Sequence, residues 1–188
     1  MITGIVLASG FSKRMKKDKL MMEINGIPMV ERVIKACKDS KLDEIILIYR
    51  TEEVKKLGRK YGVKTIYNPR AYLGQSEGVK LGIKVAKYSD AFMFLVGDQP
   101  FINSEIINQL IKAYMEDEFS IVVPYYNGNQ GMPTIFPAIY RKNFMNIEGD
   151  KGGRDIIKKG ADNVKKVYFQ DAKLGIDIDN MEELQSIN

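Results

Sequence analysis

The residues best suited to chemistry fall in four short segments. The first is LASGFSKRMKKDKL, residues 7–20, where Lys13, Arg14, Lys16, Lys17 and Lys19 are opposed only by Asp18. The small residues Ala8, Ser9 and Gly10 let a ligand approach the backbone closely. Turn N–H groups and cationic side chains together form a cradle for polyphosphate. Neither GxxxxGK[ST] nor GxGxxG is present, so this is not a Walker loop or a dinucleotide fingerprint. A solvated Lys-rich loop is the plain alternative, and the position directly after an apolar strand weighs against it.

The second segment, FLVGDQPF, delivers Asp98 at the end of a hydrophobic run. A lone carboxylate there suits Mg²⁺, which takes one or two carboxylates plus phosphate oxygens and water. A turn Asp would have the same pattern. The third, LGIDIDN, sets Asp177 and Asp179 two apart on an extended segment, hence on one face. Such a pair repels unless a cation lies between the carboxylates, or unless both face solvent. The fourth, GDKGGRDII, places Asp150, Lys151 and Arg154 just before a helix. It could hold an anionic substrate at the helix N-terminus, or be a simple loop-to-helix junction. No segment decides alone. A basic Gly loop, a lone Asp after a central strand and a downstream acidic pair together call for a nucleoside triphosphate with Mg²⁺.

Composition removes competing chemistries. The chain of 188 residues has no His, which excludes Ser-His-Asp triads and His-ligated metal sites. Its one Cys, Cys37, excludes an internal disulfide and lies in IKACK, which reads as a buried thiol in an amphipathic helix. A hydrophobic fraction of 45% with 28% charged residues excludes a disordered chain. The net charge of +5 hints at an anionic partner. No apolar run approaches the ~20 residues of a membrane span. MITGIVLASG lacks a basic n-region and reads as a first strand, not a signal peptide. No aromatic-interleaved basic stripe of the RNA-binding kind occurs. The expectation is one domain over residues 1–188, cytoplasmic, with no membrane and no nucleic-acid partner.

The elements that must position these segments alternate. Strands are expected at residues 2–8, 44–49, 64–67, 91–96, 120–125 and 164–169. Helices are expected at 28–38, 76–86 and 153–159, after Thr51, and from a cap at Asn103 or Ser104, with a closing helix at 181–187. Tyr126-Asn-Gly-Asn is a hairpin-type turn, and residues 132–136 return as an antiparallel strand. This order implies an α/β fold with a mostly parallel sheet and helices on both faces. Its active site belongs at the carboxyl ends of the strands, where the loops after Ala8, Tyr67 and Val96 lie.

LASGFSKRMKKDKL resembles the LAxGxSxRMGxxK signature of the MobA-like nucleotidyltransferases, with the Arg14-to-Lys19 spacing retained. GQSEGVKLGI is similar to the second nucleotide loop of that family. VGDQP, GMPTIF, GDKGGR and DIDN-MEEL follow in the family's order, from about Leu7 to Leu184. LASG with GDQP and GDKGGR is most similar to the molybdenum cofactor cytidylyltransferase branch, whereas the guanylyltransferase branch typically shows LAGG. Two residues depart from the pattern: Lys16 stands where Gly is usual, and Met132 where this branch often has His.

The resemblance implies a three-layer, Rossmann-like sheet of the nucleotide-diphospho-sugar transferase type. It implies transfer of CMP from CTP to the terminal phosphate of the molybdopterin cofactor, with pyrophosphate release. Arg14, Lys19 and Asp98 would be catalytic. Leu7, Ala8, Ser9, Gly10, Gln75, Ser76 and Gly78 would wrap the nucleotide, with Arg14 and Lys19 on its phosphates. Asp98, Asp177 and Asp179 would hold Mg²⁺, and Asp150 and Arg154 would face the acceptor. Molybdenum hydroxylase apoenzymes or their chaperones would be partners. The alternatives are a guanylyltransferase, transfer to another small phosphorylated acceptor such as a sugar or polyol phosphate, and a non-catalytic nucleotide-binding protein.

Overall fold

The computed structural model describes residues 1–11, 18–178 and 183. Its first strand, β1 (Ile2–Ala8), runs up the middle of an eight-stranded sheet. Two short strands, β2 (Glu23–Ile24) and β3 (Ile27–Pro28), form a separate antiparallel pair leading into α1 (Met29–Lys38). Then follow β4 (Glu44–Tyr49), α2 (Glu52–Lys60), β5 (Lys64–Tyr67), α3 (Gln75–Val85), β6 (Ala91–Val96) and α4 (Ser104–Glu116). The second half comprises β7 (Ile121–Tyr126), β8 (Asn129–Gln130), β9 (Thr134–Pro137), α5 (Arg141–Met145), α6 (Arg154–Lys159) and β10 (Val164–Phe169).

The strand order is β10-β7-β9-β6-β1-β4-β5, with β8 paired to β7. Every pairing on the main path is parallel except those of β9, which runs antiparallel to β6 and β7. The expected antiparallel return is therefore present, beginning two residues later than the pattern suggests. Asn127 and Gly128 make the hairpin turn between β7 and β8 at positive φ, 46° and 84°. Asn-Gly tolerates that geometry, which matches the twist of the flanking strands.

Alternation along the strands divides the core in two. Val6, Leu47, Met93 and Leu95 face α1 and α4, where Val33, Ile34, Cys37, Ile107 and Leu110 cover them. Ile5, Ile46, Phe92 and Phe94 face the other way, toward Val79 and Ile83 of α3 and Phe144 of α5. These helices on both faces make three layers. Cys37 is 1% exposed, and burial pushes its thiol up to about 12, so it stays protonated and serves packing. Among the described residues, no helix is long and apolar enough to cross a membrane. The expected helix at 181–187 lies outside the described residues, apart from Glu183.

Candidate active site

At the carboxyl end of β1, Leu7 packs into the α3-side core and Ala8 is buried. Ser9 turns its hydroxyl inward, where the Asn68 side-chain amide donates to it at 2.9 Å. Both residues are buried, so this bond shapes the floor between β1 and β5. Gly10 looks onto open space: a Cβ there would meet nothing within 4 Å. Phe11 follows, half exposed, with the Arg50 guanidinium 4.4 Å above its ring centre. Arg14 lies outside the described residues, as do Lys13, Lys16 and Lys17.

The Asp18 carboxylate accepts from Leu20 N–H at 3.2 Å and caps a short 3₁₀ turn. Its other oxygen accepts from the Thr51 hydroxyl at 3.1 Å, which ties the turn to the start of α2. This double hold places Lys19, whose ammonium meets the Asp98 carboxylate at 2.7 Å. The two side chains are only 14% and 24% exposed, so water screens the pair less than a surface one. The sheet thus brings together two predicted catalytic residues 79 positions apart, because β1 and β6 are neighbours.

The acidic segment near the C-terminus docks on the same loop. Ile178 N–H donates to the Asp98 carbonyl at 3.1 Å, and its side chain is fully buried beside Ile24 and Met29. Gln99 is buried too, and its amide donates to the Gly175 carbonyl at 3.4 Å. Asp177 is exposed on the strip that Ile178 anchors, and Asp179 lies outside the described residues. Among the described residues, no three carboxylates or thiols gather as a metal cluster. The carboxylate in place is Asp98, with Asp177 on the segment bonded to it.

The GQSEG segment, expected to be a second nucleotide loop, stands across β1. Gly78 of α3 packs so closely that a Cβ would lie 3.3 Å from Ser9 Oγ and 3.5 Å from Asn68 Nδ2. Ser76 is 1% exposed and its hydroxyl has no hydrogen-bond partner. The first N–H groups of α3 are engaged by the GDKGGR loop: Ser76 N–H donates to the Gly149 carbonyl at 3.0 Å, and Gln75 N–H to Asp150 Oδ1 at 3.3 Å. Gly74 makes this clasp feasible. It sits at φ +109°, and a Cβ there would fall 2.4 Å from the Gly149 carbonyl carbon. Asp150, expected to face the acceptor, thus spends one oxygen on the first turn of α3. Arg154 is exposed at the first turn of α6.

Sequence reasoning missed Arg50, Thr51, Asn68 and Gln99. Each is a single polar residue in a loop, and only the crossing of distant strands gives it a partner. A polar residue directly after a strand was the available signal for Arg50 and Asn68.

Residues 4–164 match the MobA-like NTP transferase domain. A relative named "Probable molybdenum cofactor guanylyltransferase" from Natranaerobius thermophilus is 30% identical over 76% of this chain and 67% of its own length. The bifunctional protein GlmU of Acetivibrio thermocellus is 29% identical over 97% of this chain, which spans only 39% of that protein. A nucleotidyl transferase structure from Methanothermobacter thermautotroptrophicus superposes with a TM-score of 0.84, at 19% identity, over 100% of this chain and 95% of that one. That likeness establishes the shared architecture, and the sequence match establishes the kinship. With the Lys19–Asp98 contact and the start of α3 both at the strand ends, the chain belongs to the MobA-like NTP transferase family and is a nucleotidyltransferase of that type.

Proposed function

We propose that this chain transfers CMP from CTP to the terminal phosphate of a molybdopterin-type cofactor, releasing pyrophosphate, with Mg²⁺ bound, and that its single domain works in the cytoplasm. The observation that carries the reading is the Lys19–Asp98 contact at 2.7 Å, where the β1 and β6 loops meet. An oxygen of the acceptor phosphate attacks the α-phosphorus of the triphosphate. The bond from that phosphorus to the oxygen bridging toward the β-phosphorus breaks, and its electron pair leaves with pyrophosphate. The attacking phosphate is already anionic at neutral pH, so no imidazole base is required. That suits a chain without His. Positioning and charge neutralisation remain as the tasks.

Lys19 exchanges Asp98 for phosphate oxygens and, with Arg14, holds the departing pyrophosphate. Asp98, Asp177 and Asp179 would hold the cation. The donor set fits, since Mg²⁺ uses one or two carboxylates and takes its other ligands from phosphate and water. When bound, the cation neutralises phosphate charge and orients the leaving group. Leu7 to Gly10 line one side of the nucleotide, and Gln75, Ser76 and Gly78 the other. Arg154 meets the acceptor, and Asp150 shapes the loop that presents it. Molybdenum hydroxylase apoenzymes or their chaperones would receive the product.

The cytidylyl reading rests on LASG together with GDQP and GDKGGR. The guanylyl reading is favoured by the name of the 30% identical relative. Incubation with Mg²⁺, molybdopterin and each of the four triphosphates separates them. Pyrophosphate release with CTP preferred is expected. GTP preference moves the chain to the guanylyl reaction. Release with a sugar or polyol phosphate and none with the pterin changes the acceptor, and no release with any triphosphate defeats the proposal.

A further inference from the structure

Among the described residues, two buried side-chain polar atoms lack a hydrogen-bond partner: Ser76 Oγ and Arg50 Nε. Ser76 falls within the nucleotide loop already discussed. Arg50 does not, and no part of the reaction described so far uses it.

Arg50 directly follows β4. The Asn68 N–H donates to the carbonyl of its neighbour Tyr49 at 2.9 Å, so Arg50 stands beside the Ser9–Asn68 floor. Its guanidinium lies over Phe11, the residue after the open Gly10. It makes no ion pair among the described residues. A stacked guanidinium has its flat face satisfied and its N–H groups available in one plane. An N–H of a charged group that is buried without an acceptor is costly, and a site accepts that cost where a ligand supplies the acceptor.

The position indicates which part of the ligand arrives there. Lys19 and Asp98 lie toward β6, on one side of β1, and mark the phosphate end. Arg50 follows β4, on the other side of β1, next to Asn68 after β5. That is the nucleoside end. A guanidinium fork reads two adjacent acceptors. Cytosine offers O2 beside N3, and guanine O6 beside N7. Uracil interposes an N–H between its carbonyls, and adenine offers no two adjacent acceptors, its amino group lying beside N1 and N7.

We propose that Arg50 selects the donor base, with Nε–H and one Nη–H donating to an adjacent acceptor pair on the base edge. The inference rests on the nucleotidyl-transfer reading and adds to it the group that discriminates among triphosphates.

The test is calorimetric binding of CTP, UTP, GTP and ATP with Mg²⁺ and without acceptor, to the wild type, Arg50→Lys and Arg50→Met. Lys keeps the charge and loses the fork, while Met keeps apolar contact with Phe11 and loses both. The wild type should favour CTP over UTP, or GTP over ATP, by at least ~10-fold, the scale of one bidentate base contact. Both variants should bring that ratio to within about threefold, with UTP and ATP binding unchanged. A variant that keeps the full preference overturns the proposal. So does parallel loss of all four triphosphates, which would mean a phosphate contact or a packing role. Wild-type preference for UTP or ATP, or no preference, also overturns it. A GTP preference that disappears in both variants upholds Arg50 as the base reader and defeats the cytidylyl reading. A CTP preference that persists in them does the reverse.

Discussion

The two ends of the strand edge differ in how their polar groups are satisfied. At the β1–β6 end, Lys19 and Asp98 hold each other, and the Asp98 carbonyl is taken by Ile178. At the β4–β5–α3 end, Arg50 Nε and Ser76 Oγ are buried with no partner. On the proposed reading the β1–β6 end takes the highly charged phosphates, and without them Lys19 and Asp98 neutralise one another. On the same reading the other end takes the nucleoside, which carries only polar edges. There the protein keeps its own polar atoms desolvated and waiting. Ligand binding is therefore an exchange of ion pairs at one end and a filling of vacant hydrogen bonds at the other.

That contrast is breakable. The largest effect belongs to Asp98→Asn, which keeps the shape and removes the charge. Turnover should fall by ~10²-fold or more, the scale of losing an electrostatic stabiliser, read as pyrophosphate release. Near wild-type turnover would show that the ion-paired end is not where the phosphates react. Next is Gly74→Ala. A methyl group at that position meets the Gly149 carbonyl, so the clasp must open. Roughly tenfold loss of kcat/KM for both the triphosphate and the acceptor is expected, since small misplacements of positioned groups are costly. Loss confined to one substrate would separate the loops. A smaller change is expected from Lys19→Met, and it runs the other way. With its ammonium gone, Asp98 is free for a cation, and Mn²⁺ alone should bind ~5-fold tighter by electron paramagnetic resonance. Unchanged Mn²⁺ affinity would mean that the pair does not guard the carboxylate. The smallest effect is that of Cys37→Ala, behind both ends in the α1 layer. Turnover should stay within about twofold, as befits a packing thiol.

The sequence disclosed the fold largely through β1, β4 and β6. Their apolar runs are long enough to be unambiguous, and the alternation with helices made the sheet parallel. The antiparallel β9 was legible because Asn127-Gly128 announces a reversal. By contrast β2, β3 and α5 carry two, two and five residues, too few for any period to show. Of the site, Asp98 and Lys19 could be named from their loops, but their contact could not, since it depends on β1 and β6 lying side by side. Arg50 left even less trace. It reads as one more Arg in a basic chain until Phe11 and Asn68 are brought beside it. Asp150 shows the opposite failure. Its loop was noticed, yet its carboxylate turned out to bond to a helix 75 residues away in sequence.

The contact between Gly74 and Gly149 reaches beyond this one molecule. Two backbones that touch with no room for a side chain must change together or not at all. A lineage that altered the acceptor loop would find its donor loop altered in the same step. An engineer grafting a new acceptor loop here should expect to import its matching partner from the same source. With the donor and acceptor roles proposed for these loops, the preferences for the two substrates would be inherited as one part.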